Sequence, residues 1–216
     1  MTAKLRGFWD SMLGEGRRWW ITANSDSHVH WREGGSDFWP GEYSKTYVFA
    51  QKNHDDIMDG IRNGRVFVTL GDLISELDVR VEGGHHTADI GGAIHIAQGE
   101  DVTVTIRFKD PDTLNSWKQN PEVIRVDLIM GEVRGPVANR NSDNNPTTQV
   151  IARFTESDWT VNGAYREITY TISELGKESY IRIRGTNSNE LEPQEDEKGE
   201  SPWDELWFYS NPIFID

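Results

Sequence analysis

The chain has 216 residues, enough to bury a core, and at 36% hydrophobic and 11% aromatic its composition is that of a folded protein. A formal net charge of -14 argues against a nucleic-acid backbone as partner, since such binding depends on clustered Lys and Arg. No run of eighteen apolar residues crosses a membrane, "MTAKLRGFWD" lacks the apolar stretch of a signal peptide, and the absence of Cys excludes disulfides and thiolate chemistry.

In chain order, residues 1–71 have an α/β texture. "AKLRGFWDSMLGEGRR" places Leu5, Phe8, Trp9, Met12 and Leu13 near one helical face, with Gly14 and Gly16 close to its end. "WWITANS" reads as a short apolar strand, and a Gly- and Trp-rich loop, "HWREGGSDFWPGEY", follows shortly after. "TYVFA" is an expected strand. "NHDDIMDGIRNG" is an expected helix, with Asn53 as N-cap, Asp55 and Asp56 at its positive end, and Gly64 at its stop. "RVFVTLG" is a further strand, and "GDLIS" near 71–75 is the expected linker.

Residues 72–216 read as all-β. "SELDVRVEG" alternates Leu77, Val79 and Val81 with polar neighbours, and "DVTVTIRF" alternates Val102, Val104, Ile106 and Phe108. "VIRVDLI", "TQVIARF", "REITYTI" and "SYIRIRG" follow suit. Short strands between turn-rich loops imply an antiparallel β-sandwich. The expected fold class is therefore α+β: a truncated α/β segment over 1–71, then an antiparallel β-sandwich over 72–216.

The sharpest chemical signal is "NSDSH". Asp26 and His28 stand two residues apart at the end of an expected strand, so they point to the same side and both can reach one cation. Zn²⁺, Mn²⁺ and Fe all accept this mixture of nitrogen and oxygen. The competing reading is a plain turn. His30, Trp31 and Trp39 lie in or beside the next loop, either shaping a substrate lid over the site or pinning the loop by packing. His54 reads as a helix opener, and His85 and His86 as a solvated turn. "KDPDTLNSW" and "NRNSDNNPTT" read as ordinary turns rather than Ca²⁺ loops, and "LEPQEDEKGESPWDELW" as a solvated acidic loop before the last strand rather than a second Ca²⁺ site or protein-binding arm.

The pattern "WDSMLGEGRRW", "NSDSH", "YSKTYVFA", "IRNGRVFVTLG" and then a β region, with "YIRIRGT" and "WFYSNPIFI" beyond it, resembles the C-terminal part of a PHP-type metal-dependent phosphoesterase, in the branch with an extra C-terminal β domain. The resemblance implies a distorted α/β barrel, a divalent metal site in which Asp26 and His28 are ligands, and metal-activated water attacking a small phosphoester. His30 is a further candidate for the metal or substrate loop. The sequence departs from the family in one respect: no His precedes His28, so the N-terminal "HxH" ligands have no counterpart. The chain is thus expected to carry only the end of such a domain and to be inactive alone. Orphaned barrel strands would bury their apolar sides against the sandwich or a second copy, which makes a homo-oligomer through the N-terminal segment the expected state. The alternative reading is a binding module, in which the β-sandwich recognises a carbohydrate or a protein partner.

Overall fold

A computed structural model describes residues 4–139, 141–194 and 200–216. The elements, in order, are α1 (Phe8–Gly14), β1 (Ser44–Val48), α2 (His54–Arg62), β2 (Val66–Leu70), β3 (Glu76–Gly83), β4 (His86–Asp89), β5 (Ala93–Ile94), β6 (Glu100–Lys109), β7 (Arg125–Glu132), β8 (Gln149–Phe154), β9 (Thr160–Asn162), β10 (Tyr165–Leu175), β11 (Ser179–Thr186), β12 (Trp207–Ser210) and β13 (Ile213–Ile215). The molecule is mostly β. One sheet runs β4-β3-β6-β10-β9; the other runs β1-β2-β12-β11-β13-β5, with β7 against β11 and β8 against β7. Among the described strands every pairing is antiparallel except the short parallel contact of β13 with β5, so the expected all-antiparallel sandwich is corrected at that edge. β12 and β13 both pair with β11 and are interrupted at Asn211–Pro212, where proline cannot donate to a ladder.

The two sheets share one apolar core. Leu77, Val79 and Val81 of β3, and Val102, Val104, Ile106 and Phe108 of β6, meet Ile181 and Ile183 of β11 together with Phe208, Ile213 and Ile215. Each such side chain, fully buried, stabilises the fold by about 1.5–3 kcal/mol.

The 1–71 segment is built into this body. β1 and β2 pair with each other antiparallel, joined through α2, and β2 pairs with β12. They therefore extend a sandwich sheet instead of forming parallel α/β strands. The supposed linker is core: Leu73 and Ile74 are fully buried. α2 matches its sequence signature, since the Asn53 side chain accepts from the Asp56 N–H. Gly64 follows with φ +69, and a Cβ there would collide with the Trp20 indole.

"WWITANS" is not a strand. Among the described residues no ladder runs beside it; side chains tether its backbone instead. Asn211 accepts from Ile21 N–H at 2.8 Å, Thr46 bonds both backbone groups of Ala23, and Ser44 donates to the Asn24 carbonyl. This segment and α1 lie on the outer side of the eight-stranded sheet. Trp9 and Leu13 pack on Tyr180 and Phe214, and Ile21 and Ala23 pack on Val68, Trp207 and Tyr209.

Two arginines of β11 are buried under that cover. Arg182 makes two 2.8 Å bonds to Asp10, with both side chains fully buried, and its guanidinium lies 4.9 Å from the Trp9 ring. Arg184 bonds Asp127 at 2.9 Å and Glu192 at 2.7 Å. The acidic stretch is thus only partly a solvated loop: Glu192 neutralises a buried cation, while 195–199 lie outside the described residues.

Candidate functional site

The site begins where the tethered segment ends. Asp26 adopts φ 45, a left-handed conformation that Asp tolerates, and its N–H donates to the Asn24 side chain at 3.0 Å. The turn leaves the Asp26 carboxylate and the His28 ring largely exposed. His28 Nδ1 lies 2.5 Å from the Asp26 carbonyl oxygen and 3.9 Å from the Asp26 carboxylate. Nε2 has no protein partner among the described residues. Asp37 closes the loop: its Oδ2 accepts from the His28 N–H at 2.6 Å and the Val29 N–H at 3.2 Å. Those two backbone bonds hold the Asp37 carboxyl below its ordinary range. The bond to the Asp26 carbonyl, reinforced by the charges of Asp26 and Asp37, raises the His28 imidazole above its usual value. Gly35 permits the closure, because any Cβ there would run into the Val29 carbonyl.

His30 goes elsewhere. It is buried, with Nε2 2.8 Å from Glu42, and its ring stacks on Trp39 at 5.2 Å. Glu42 also accepts from the Trp39 N–H, and Arg32 lies 3.6 Å away. Burial opposes ionisation of Glu42, yet the bonds from His30 and Trp39 bring its carboxyl below the ordinary value. His30 therefore fixes the loop and is not turned toward the Asp26–His28 pair. Trp31 also packs, edge-on to Trp117 at 5.0 Å and stacked on Phe38 at 6.0 Å. Of the loop aromatics, Trp39 keeps an open face, at 56% exposed.

His54 opens α2 with Nδ1 3.3 Å from Asp55. His85 is exposed in the β3–β4 turn, whereas His86, also exposed, is the first residue of β4 and pairs with Gly83, which corrects the reading of both as a turn. In "KDPDTLNSW", Asp110 accepts from the Val123 N–H and Asn115 caps its own turn, so these side chains are spent on loop structure. In "NRNSDNNPTT", Asn145 is buried and donates to the carbonyls of Asp10 and Glu132; Arg140 lies outside the described residues.

No family model, curated protein or solved structure matches the chain.

The geometry therefore rests on the residues alone. Among the described residues no three His, Asp or Glu side chains gather as a metal-binding group. Asp26 and His28 offer one carboxylate and one imidazole on an exposed turn. That donor set suits part of the coordination of one divalent ion, whereas a hydrolytic centre uses three or more protein ligands. Two residues that organise the site were not found from sequence, Asp37 and Glu42. Each acts by closing a loop from nine or more positions away, a relation that no periodicity signals.

Proposed function

We propose that this chain carries the C-terminal part of a PHP-like metal-dependent phosphoesterase, with Asp26 and His28 as its contribution to a divalent metal site. The observation that carries the reading is the bond from His28 Nδ1 to the Asp26 carbonyl. A proton held on Nδ1 by a carbonyl leaves the lone pair on Nε2, the arrangement by which metal-ligating histidines have their tautomer fixed. Here Nε2 has no hydrogen-bond partner among the described residues, and the exposed Asp26 carboxylate lies 3.9 Å from Nδ1 of the same ring. Asp37 would hold the turn in shape through the backbone, and the His30–Glu42–Trp39 unit would wall it. A bound Zn²⁺, Mn²⁺ or Fe ion supplies Lewis acidity toward a phosphoester and acidifies bound water. The remaining ligands belong to groups beyond these two residues, so this chain alone is expected to be inactive.

Calorimetric titration with Zn²⁺ and Mn²⁺ tests the assignment. Weak binding of one ion is expected, abolished in His28→Ala and Asp26→Asn, with no chelator-sensitive hydrolysis of 4-nitrophenyl phosphate. Tight binding untouched by both substitutions would sink the reading. Self-association belongs to the same proposal. Phe8 and Trp19 remain exposed side by side on the N-terminal segment and would supply an apolar contact between copies. Light scattering over a dilution series is expected to show a dimer that dissociates; a monomer at every concentration removes that part.

A further inference from the structure

A cavity of about 430 Å³ lies beside the five-stranded sheet, apart from the Asp26–His28 turn. It arises from strand pairing. β4 runs beside β3 only over Arg80–Gly83, so the edge of β3 before Arg80 has no strand next to it. The chain turns off through Ile90. Phe49 and Arg65, from the ends of β1 and β2 joined to α2, stand across the gap. The volume falls in the range of small-molecule sites, roughly 300–1,000 Å³.

Three guanidinium groups, Arg65, Arg80 and Arg107, gather on this one cavity, and carboxylates balance them: Asp78 and Asp89 in the lining, with Asp56, Asp59 and Glu167 as further partners. Phe49 and Ile90 supply apolar wall. Each arginine is oriented. Arg65 bonds Asp59 at 2.9 Å and lies 3.6 Å from Asp56. Arg80 bonds Asp89 at 3.0 Å. Arg107 reaches Asp78 at 3.4 Å and Glu167 at 3.3 Å, and its guanidinium sits 3.4 Å from the Tyr165 ring centroid. All three guanidinium groups keep contact with solvent, and such exposed pairs are worth only about 0–1 kcal/mol. An incoming anion can therefore share the donors at little cost to the fold, while a planar fork of N–H groups suits a phosphate or carboxylate.

We propose that this cavity binds a small organic anion, a phosphate or carboxylate carried on a flat apolar body, with the anionic group on Arg65, Arg80 and Arg107 and the apolar body against Phe49 and Ile90. The site does not depend on the metal reading, and gives the sandwich a ligand of its own.

Amide chemical-shift mapping of the ¹⁵N-labelled chain, stripped of cations with EDTA that is then dialysed out so that the Asp26–His28 turn stays metal-free, tests it. The probes are phenyl phosphate, benzoate, inorganic phosphate and phenol. Saturable shifts are expected at Phe49, Arg65, Asp78, Val79, Arg80 and Arg107 with phenyl phosphate, benzoate or both, and whichever binds tighter names the anionic group. Phenol and inorganic phosphate, each lacking half of the recognition, are expected to bind at least about tenfold more weakly, a difference of about 1.4 kcal/mol. Arg65→Gln and Arg80→Gln are expected to weaken binding about tenfold while the spectrum stays that of the folded chain. Scattered or unsaturable shifts, equal binding of phenol, or unchanged affinity in both folded variants would overturn the proposal.

Discussion

β11 and β6 read alike in sequence and sit in opposite circumstances. Both alternate aliphatic and polar residues over their middle, and both turn those aliphatic residues into the shared core. On β6 the other residues, Thr103, Thr105 and Arg107, keep contact with water. On β11 all eight residues are buried, because α1 and the tethered segment cover the outer side. Alternation identifies which face is core; it carries no information on what covers the other face. The difference appears in how charge is handled. Arg107 shares exposed carboxylates, whereas Arg182 depends on one carboxylate, Asp10, brought from the far end of the chain. Asp127 stands between three arginines. Its Oδ2 bonds Arg184, while Arg125 and Arg153 lie 3.3 Å from Oδ1 without hydrogen-bonding geometry. These two serve as charge compensation more than as directed bonds.

The most direct way to break this comparison is to remove one carboxylate from each side. Asp10→Ala leaves Arg182 buried and unpaired and is expected to cost about 3–5 kcal/mol in urea unfolding. A loss no larger than that of a surface pair would mean the cover is loose in solution.

An acid titration sharpens it next. Glu192 is a half-buried partner of Arg184. Burial favours its neutral form, but the bonds from Arg184 and the Leu5 N–H prevail and set its carboxyl below the ordinary 4.5. A depressed folded-state value means the stabilisation is present above 4.5 and is lost as pH falls through the lower folded value. The stability gap between the wild type and Glu192→Gln is therefore expected to close on acidification below 4.5, as read from urea midpoints at a series of pH values. A gap that stays constant would show that the pair does not bear on folding.

The smallest effect belongs to the open side. Asp78→Ala removes a carboxylate from Arg107 that water and Glu167 replace, and about 0–1 kcal/mol is expected from the same unfolding measurement. A cost comparable to that of Asp10→Ala would erase the distinction between the two strands.

Much of the strand content was legible because two-residue periodicity is local. "SELDVRVEG" contains β3, "DVTVTIRF" and "SYIRIRG" are all but the ends of β6 and β11, and the Asn53 cap located α2. Partner choice was not legible. "WWITANS" has a strand's composition, yet its neighbours meet it with the side chains of Asn211, Thr46 and Ser44, and side-chain tethers leave no periodic trace. "GDLIS" has the turn residues of a linker, and only the fold reveals that Leu73 and Ile74 fill the core. At the candidate site, the proximity of Asp26 and His28 follows from spacing. The burial of His30 does not, since it depends on Glu42 and Trp39 arriving from across the loop.

The bond between Ile21 and Asn211 joins residues 190 apart in the chain. A polypeptide leaves the ribosome from its N-terminal end, so Trp9, Trp20 and Ile21 are made long before the strands they cover. Through most of synthesis these apolar groups have no seat, and Arg182 of β11 has no Asp10 until the two segments meet. Contacts of such long range close slowly. The segment is thus made well before the strands it covers and is among the last to find its place, and in that interval it is the surface a chaperone would hold.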